Sequence, residues 1–519
     1  MSEDFETPAS AGERRLLTEL AETGRARMGD AIPEAPEEAV RLRAGFLRHL
    51  LMAADSPLDG RGLRLRGAWI EGALDLHGAD CPRDITLRDC HMTEAMTLVN
   101  AQLRGLHVSG SRIHGLAADN ARFSGSVYLR EGTLCEGEFS LAGARIAGDL
   151  QLCGVEIVGE RQDAVFAPSL HVDGSLFLGN YPYAEGVTTL VSRGTLFFAS
   201  AIVGHDVFVT NTAVSLNEGV MAGFFGATEE HGANMALSLG RARIGGILYF
   251  QDNQIGQGIV NLAGATCARL KDEPSGPGAN YPIRLDGFRY GDFSRHAETG
   301  VKARLAWLER RPEDTPFTAQ PYEHLAEVLR RIGHREDAST VLVAKERHLR
   351  AADREALRLD EGHSLAWGLS GLWDLFLRVT VGYGFRPGRS IAIAVLLVAA
   401  LGLFFDRTWK VGDMAPNAAP ILVSRDWVVA TERHPDNPAA FWAAPGQAGQ
   451  DYETFNAFAY AADLVVPLVS LGQEAAWAPS TSRSDWGRAG WWIRWFAKGV
   501  GWVIAALVAA AITGVIRRE

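Results

Sequence analysis

Lysine is almost missing from this chain. Lys271, Lys302, Lys345, Lys410 and Lys498 are the only lysines among 51 basic side chains, which face 62 acidic ones, for a formal charge of −11. A bias toward arginine with net acidity is what GC-rich genes impose and is not a basic surface, so no nucleic-acid partner is expected. Cysteine is scarce too: Cys81, Cys90, Cys135, Cys153 and Cys267 form no CxxC pair, and five cannot all be bridged. Buried thiols of a reducing compartment are the expectation. The amino terminus, MSEDFETPAS, lacks the basic start and apolar run of a secretory signal, which points the first half of the chain to the cytoplasm. Enzyme signatures are missing as well: no GxGxxG follows a strand, and there is no GxxxxGK[ST], HExxH or GxSxG. No catalytic residue, metal or cofactor is therefore assigned.

What is present is a beat of five. Residues 101–125 divide as AQLRG, LHVSG, SRIHG, LAADN, ARFSG, with the third position apolar (Leu103, Val108, Ile113, Ala118, Phe123) and the first small or apolar (Ala101, Leu106, Ser111, Leu116, Ala121). Neither a helix nor a flat strand has that spacing. Units whose first and third residues point inward make one side of a square coil, four to a turn of about 20 residues. A looser form recurs in LRLRGAWIEGALDLHGA (63–79), FSLAGARIAGDLQLCGVEI (139–157) and LSLGRARIGGILYFQDNQI (237–255). Glycine is expected at the corners, where positive φ costs it little. Outward side chains such as Arg104, His107, Arg112, His114 and Arg122 are then candidates to face a partner, while GNYPYAEG and GGILYFQDN either line a groove or simply pack.

These repeats resemble the pentapeptide-repeat family, which implies a mainly β fold: a right-handed quadrilateral β-solenoid over 59–293. Acid imitation of DNA, a use known for that fold, is not expected from the mild acidic excess here. Helices read in ERRLLTELAETGRARMGD and PEEAVRLRAGFLRHLLMAA make 1–58 an N-terminal cap. The period then changes to helical in 294–363. PYEHLAEVLRRIGHREDASTVLVAKERHLR reads as an αα-hairpin, either an ordinary packed one or a single unit resembling the tetratricopeptide type.

Two apolar runs, GRSIAIAVLLVAALGLFF (388–405) and GVGWVIAALVAAAITGVI (within 498–516), suit a lipid bilayer in length, and the second follows WWIRWF, a headgroup-zone motif. Ala506, Ala510 and Gly514 make a small-residue stripe for helix packing. Both termini are expected in the cytoplasm, with 406–497 outside. Residues 364–387 read as an interfacial helix, with TVGYG (Thr380–Gly384) a bend closed by Pro387; this string spells a potassium filter but precedes the first span, where no filter forms. Between the spans, FNAFAYAADLVVPLVSLGQ holds a short apolar helix over 455–472. Asp463 is then either in water on an interfacial helix or a functional intramembrane group.

The whole arrangement resembles that of membrane-anchored pentapeptide-type proteins of bacteria, some of them labelled oxidoreductases. Three functions stay in play. The first is a non-catalytic scaffold or sensor with a cytoplasmic protein partner. The second is a homo-oligomeric ion or solute conductor using 455–473. The third is the membrane-associated oxidoreductase of that label.

Overall fold

The computed structural model describes residues 6–216, 234–313, 315–359, 364–380, 382–383, 388–467 and 469–512. They belong to two units, Met1–Val341 and Leu342–Glu519.

Among the described residues of the first unit, 29 short strands from Ala26–Arg27 to Arg289–Phe293 join one sheet. Its registered pairings are parallel. Leu63 pairs with Ile85, Ile85 with Leu106, Leu106 with Val127 and Val127 with Leu150. The row continues through Leu176, Val207, Leu248 and Leu270 to Phe293. A second row runs from Leu74 through Met96, Leu116, Phe139, Val165, Leu196, Leu237 and Val260 to Ile283. Parallel neighbours at such offsets place like on like, so each apolar side chain packs between two others and buries its full area. All ten inward positions of 101–125 are buried, Ser111 included. Its hydroxyl accepts from the Cys90 N–H and donates to the Ser109 carbonyl, which removes the penalty for burying it.

The turns stack as well, and here glycine is only part of the answer. Left-handed φ occurs at Gly78, Asn100, Asn120, Gly143, Ser169, Ser200, Arg241, Gly264 and Gly287. Each N–H from Gly78 to Gly264 bonds a carbonyl further along the chain, from Gly78 to Val99 through Gly264 to Asp286. Asparagine tolerates this conformation; serine and arginine are strained there and are held by the stack.

The sheet begins earlier than the repeats suggest. Arg41–Arg43, read as helix from sequence, is a strand paired with Trp69–Glu71, and Ala26–Arg27 pairs with Leu65–Arg66. Among the described residues of 1–58, helices occupy Ala11–Thr23 and Ala44–Met52. Ser10 caps the first by accepting from the Glu13 N–H, and the fully buried Glu13 carboxylate binds Arg43 through Nε (2.9 Å) and Nη2 (3.0 Å). At the other end Arg304, from helix Val301–Glu309, is fully buried and grips Asp272 with two bonds of 2.8 and 2.6 Å. Where a helical hairpin is expected, the chain forms helices Gln320–Arg331 and Arg335–Leu359, and the boundary between the units falls in the latter.

All five cysteines are free and buried. Burial pushes Cys90, Cys135, Cys153 and Cys267 up to about 12 and raises Cys81. Thiolate is the reactive form, so the folded chain is expected to resist a maleimide at pH 7 while the denatured chain takes up five. Labelling followed by intact mass checks this.

In the second unit, Gly388–Lys410 and a helix from Asp485 are long and apolar enough to cross a membrane, and only 17% of each apolar window is buried. Val395, Leu396, Leu403, Trp492, Phe496 and Trp502 are exposed, which a core helix of this composition would not allow. Between these helices in sequence lies a packed region rather than an open loop. Trp427, Trp442, Tyr460 and Trp477 are buried with Phe405 of the first helix in one core. Close approach is made by glycine: a Cβ on Gly402 would meet the Phe458 ring at 2.4 Å, and one on Gly501 the Val465 carbonyl at 2.5 Å. Ala506 is exposed and Ala510 half-buried, whereas Gly514 and Pro387 lie outside the described residues. The small residues at these close approaches are therefore Gly402 and Gly501, upstream of the stripe read from sequence.

Candidate functional site

The five outward residues do not form one cluster. Arg104 is exposed and donates to the Gly60 carbonyl (2.7 Å), with Asp84 at 3.9 Å. Arg112 shares a row with His91, which stacks on Trp69. His114 lies 4.0 Å from Glu136, and Arg122 pairs in register with Gln102 and Arg145. His107 is half-buried, and burial holds its imidazole below the ordinary value.

His107 opens a ladder that the sequence does not announce. Its ring stacks on Tyr128 at 4.2 Å. The Arg130 guanidinium sits 4.4 Å from Tyr128 and 4.4 Å from Tyr181, and Tyr181 meets Phe177 edge-on at 5.2 Å. Phe177 stacks on Phe208 (4.7 Å), Phe208 on Tyr249 (4.4 Å), and the Lys271 ammonium stands 5.5 Å from the Tyr249 ring. Register explains it: positions 107, 128, 151, 177, 208, 249 and 271 are successive parallel partners, one per strand, with Gln151 and Phe177 buried and the other five half-buried. Ring faces are spent on one another, and edges, hydroxyls and two cations remain for a partner. Tyr183, edge-on to Tyr181 at 5.5 Å, is the most exposed member.

The second unit carries a cavity of about 390 Å³ lined by Asp463, Leu464, Pro467, Val469, Glu474, Arg494, Lys498 and Trp502 among others. Helix Ala457–Val465, N-capped by Asn456, ends before Pro467 as the sequence requires. Asp463, expected either in water on an interfacial helix or as a functional intramembrane group, is only 9% exposed, and its carboxylate accepts from the backbone N–H groups of Leu471 and Glu474. It pins the returning strand of chain. Glu474 is held by Arg494 (2.7 Å) and Lys498 (2.5 Å) through the same oxygen. Burial pushes its carboxyl up, but the bonds from Lys498 and Arg494 outweigh that and leave it below its ordinary value.

The filter-like string also has a clear local role. Tyr383 takes left-handed φ (57°) and is buried; its hydroxyl donates to Asp374 (2.9 Å), which also binds Arg354 (2.8 Å). Arg350 stacks on the Tyr383 ring at 4.9 Å. Thr380 and Ser390 spend their hydroxyls on the Phe376 and Thr380 carbonyls. Val381 and Gly384 lie outside the described residues. Among the described residues no group of three or more His, Cys, Asp or Glu is placed to hold a metal ion.

No protein-family model, curated protein or solved structure matches this chain.

Proposed function

We propose that this chain is a membrane-anchored scaffold. Its parallel sheet winds as a right-handed, four-sided β-solenoid of the pentapeptide-repeat type, tethered to the bacterial inner membrane by Gly388–Lys410 and the helix from Asp485, with both termini cytoplasmic. The winding is supported by rows in which each strand's partner lies one repeat turn further along the chain. The anchor is supported by the exposed apolar faces of the two helices.

The observation that carries the binding reading is the outward ladder from His107 to Lys271. Aromatic side chains together with arginine are enriched at protein contact surfaces, where they give large contact area. Three cavities lined by described residues of the first unit hold only about 10 to 20 Å³ each, far below the roughly 300 Å³ at which small-molecule sites begin. A protein surface suits such a body better than a substrate.

The test is a photo-crosslinking amino acid placed in the full chain, in membranes, at Tyr183 and, as a control off the ladder, at Arg122. A discrete adduct from position 183 and none from 122 is expected. Equal labelling at both positions, or none at either, would overturn the assignment of this face.

A further inference from the structure

Arg494 and Lys498 stand one helical turn apart on the same face of the helix from Asp485, so their charges repel unless something lies between them. Both bind one oxygen of Glu474. Among the described residues Arg494 donates only to Glu474, and its Nε is buried with no partner. Asp463 accepts from the backbone N–H groups of Leu471 and Glu474, and among the described residues it makes no ion pair with Arg494 or Lys498. Beside the shared Glu474 oxygen, Arg494 and Lys498 keep further N–H donors on the cavity wall, which suit a group with several acceptor oxygens.

The remaining lining is of a different kind. Val469 and Trp502 line the cavity, and both are exposed. Arg494 itself sits inside the tryptophan run Trp491, Trp492 and Trp495, the side chains that mark headgroup depth in a spanning helix. A volume of about 390 Å³ is ligand-sized. We propose that this cavity binds the phosphodiester headgroup of a membrane phospholipid, with Arg494 and Lys498 holding the phosphate and the acyl chains running over Val469 and Trp502. Free phosphate would satisfy the cations but would leave the apolar rim unused. The inference rests on the spanning reading of the two helices.

The test uses the full chain purified in detergent, with a fluorescent phosphatidylglycerol as probe and inorganic phosphate and glycerol phosphate as competitors. Saturable binding is expected, unaffected by millimolar phosphate and weakened about tenfold or more in R494Q/K498Q, because charge-assisted bonds are lost. That variant strands Glu474, so E474Q/R494Q/K498Q removes the whole ion set, and Val469→Trp fills the mouth with every charge in place; both are expected to lose the lipid while still sedimenting with membranes. Sedimentation separates failure of this proposal from failure of the anchor. Competition by free phosphate, unchanged binding in all three variants, or no binding by the wild type would each overturn it.

Discussion

Replacing Asp272 by alanine is expected to destabilise the C-terminal end of the sheet by about 3–5 kcal/mol, the cost of leaving a buried cation without its partner. Arg304 has no exposed surface; besides Asp272 it donates to the Glu298 carbonyl (2.6 Å) and lies against Phe293 (4.4 Å) and Trp307 (5.3 Å). Once Asp272 is gone, the guanidinium must either stay buried and unpaired or pull Val301–Glu309 away from the last strand. The double change D272A/R304M is expected to recover most of the loss, since an apolar group of similar length replaces the pair and little is left unsatisfied. Hydrogen exchange on peptides covering 266–308 in the full chain reads this locally. A single variant protected like the wild type would show that the pair does not close this end. The other end follows the same logic with Glu13 and Arg43. Both sheet edges, which would otherwise offer unpaired N–H and C=O groups, lie beside a helix fixed by an arginine–carboxylate bond.

How much of this was legible depends on the distance over which the signal acts. The inward positions of 101–125 could be read because each unit repeats within five residues and burial follows the repeat. The strand at Arg41–Arg43 could not: a lone Leu42 between arginines has no period, and its conformation comes from Trp69–Glu71, a long-range partner. The aromatic ladder was hidden for a related reason. Phe177, Phe208 and Tyr249 are neighbours in space but are separated in sequence by insertions of unequal length, so no fixed spacing reveals them. Asp463 stood out as a charge in an apolar stretch, yet what it does is decided by the N–H groups of Leu471 and Glu474, which only the fold brings to it. Tyr383 shows the converse case. The bend was readable from its glycines, while the bond to Asp374 and the stacking of Arg350 were not.

The second large effect is expected at Leu129, which is fully buried and lies in register between Val108 and Leu152. Leu129→Ala should cost about 2–5 kcal/mol, and Leu129→Asp should prevent this part of the sheet from forming, because a carboxylate there has no partner. At exposed Arg122, substitution by alanine should stay within about 0.5 kcal/mol. Urea unfolding of the full chain gives the magnitudes, but the spatial pattern of the damage is the stronger test. In an antiparallel hairpin the loss of protection would spread along the chain from residue 129 to its sequence neighbours. In parallel rows it must jump to 106–109 and 150–153, the strands that hold the partners of 127–130. Exchange that rises at those two segments and spares 116–123 would match stacked turns. A spread confined to the residues flanking 129 would refute the wound arrangement, and with it the reading of the outward ladder as a continuous surface.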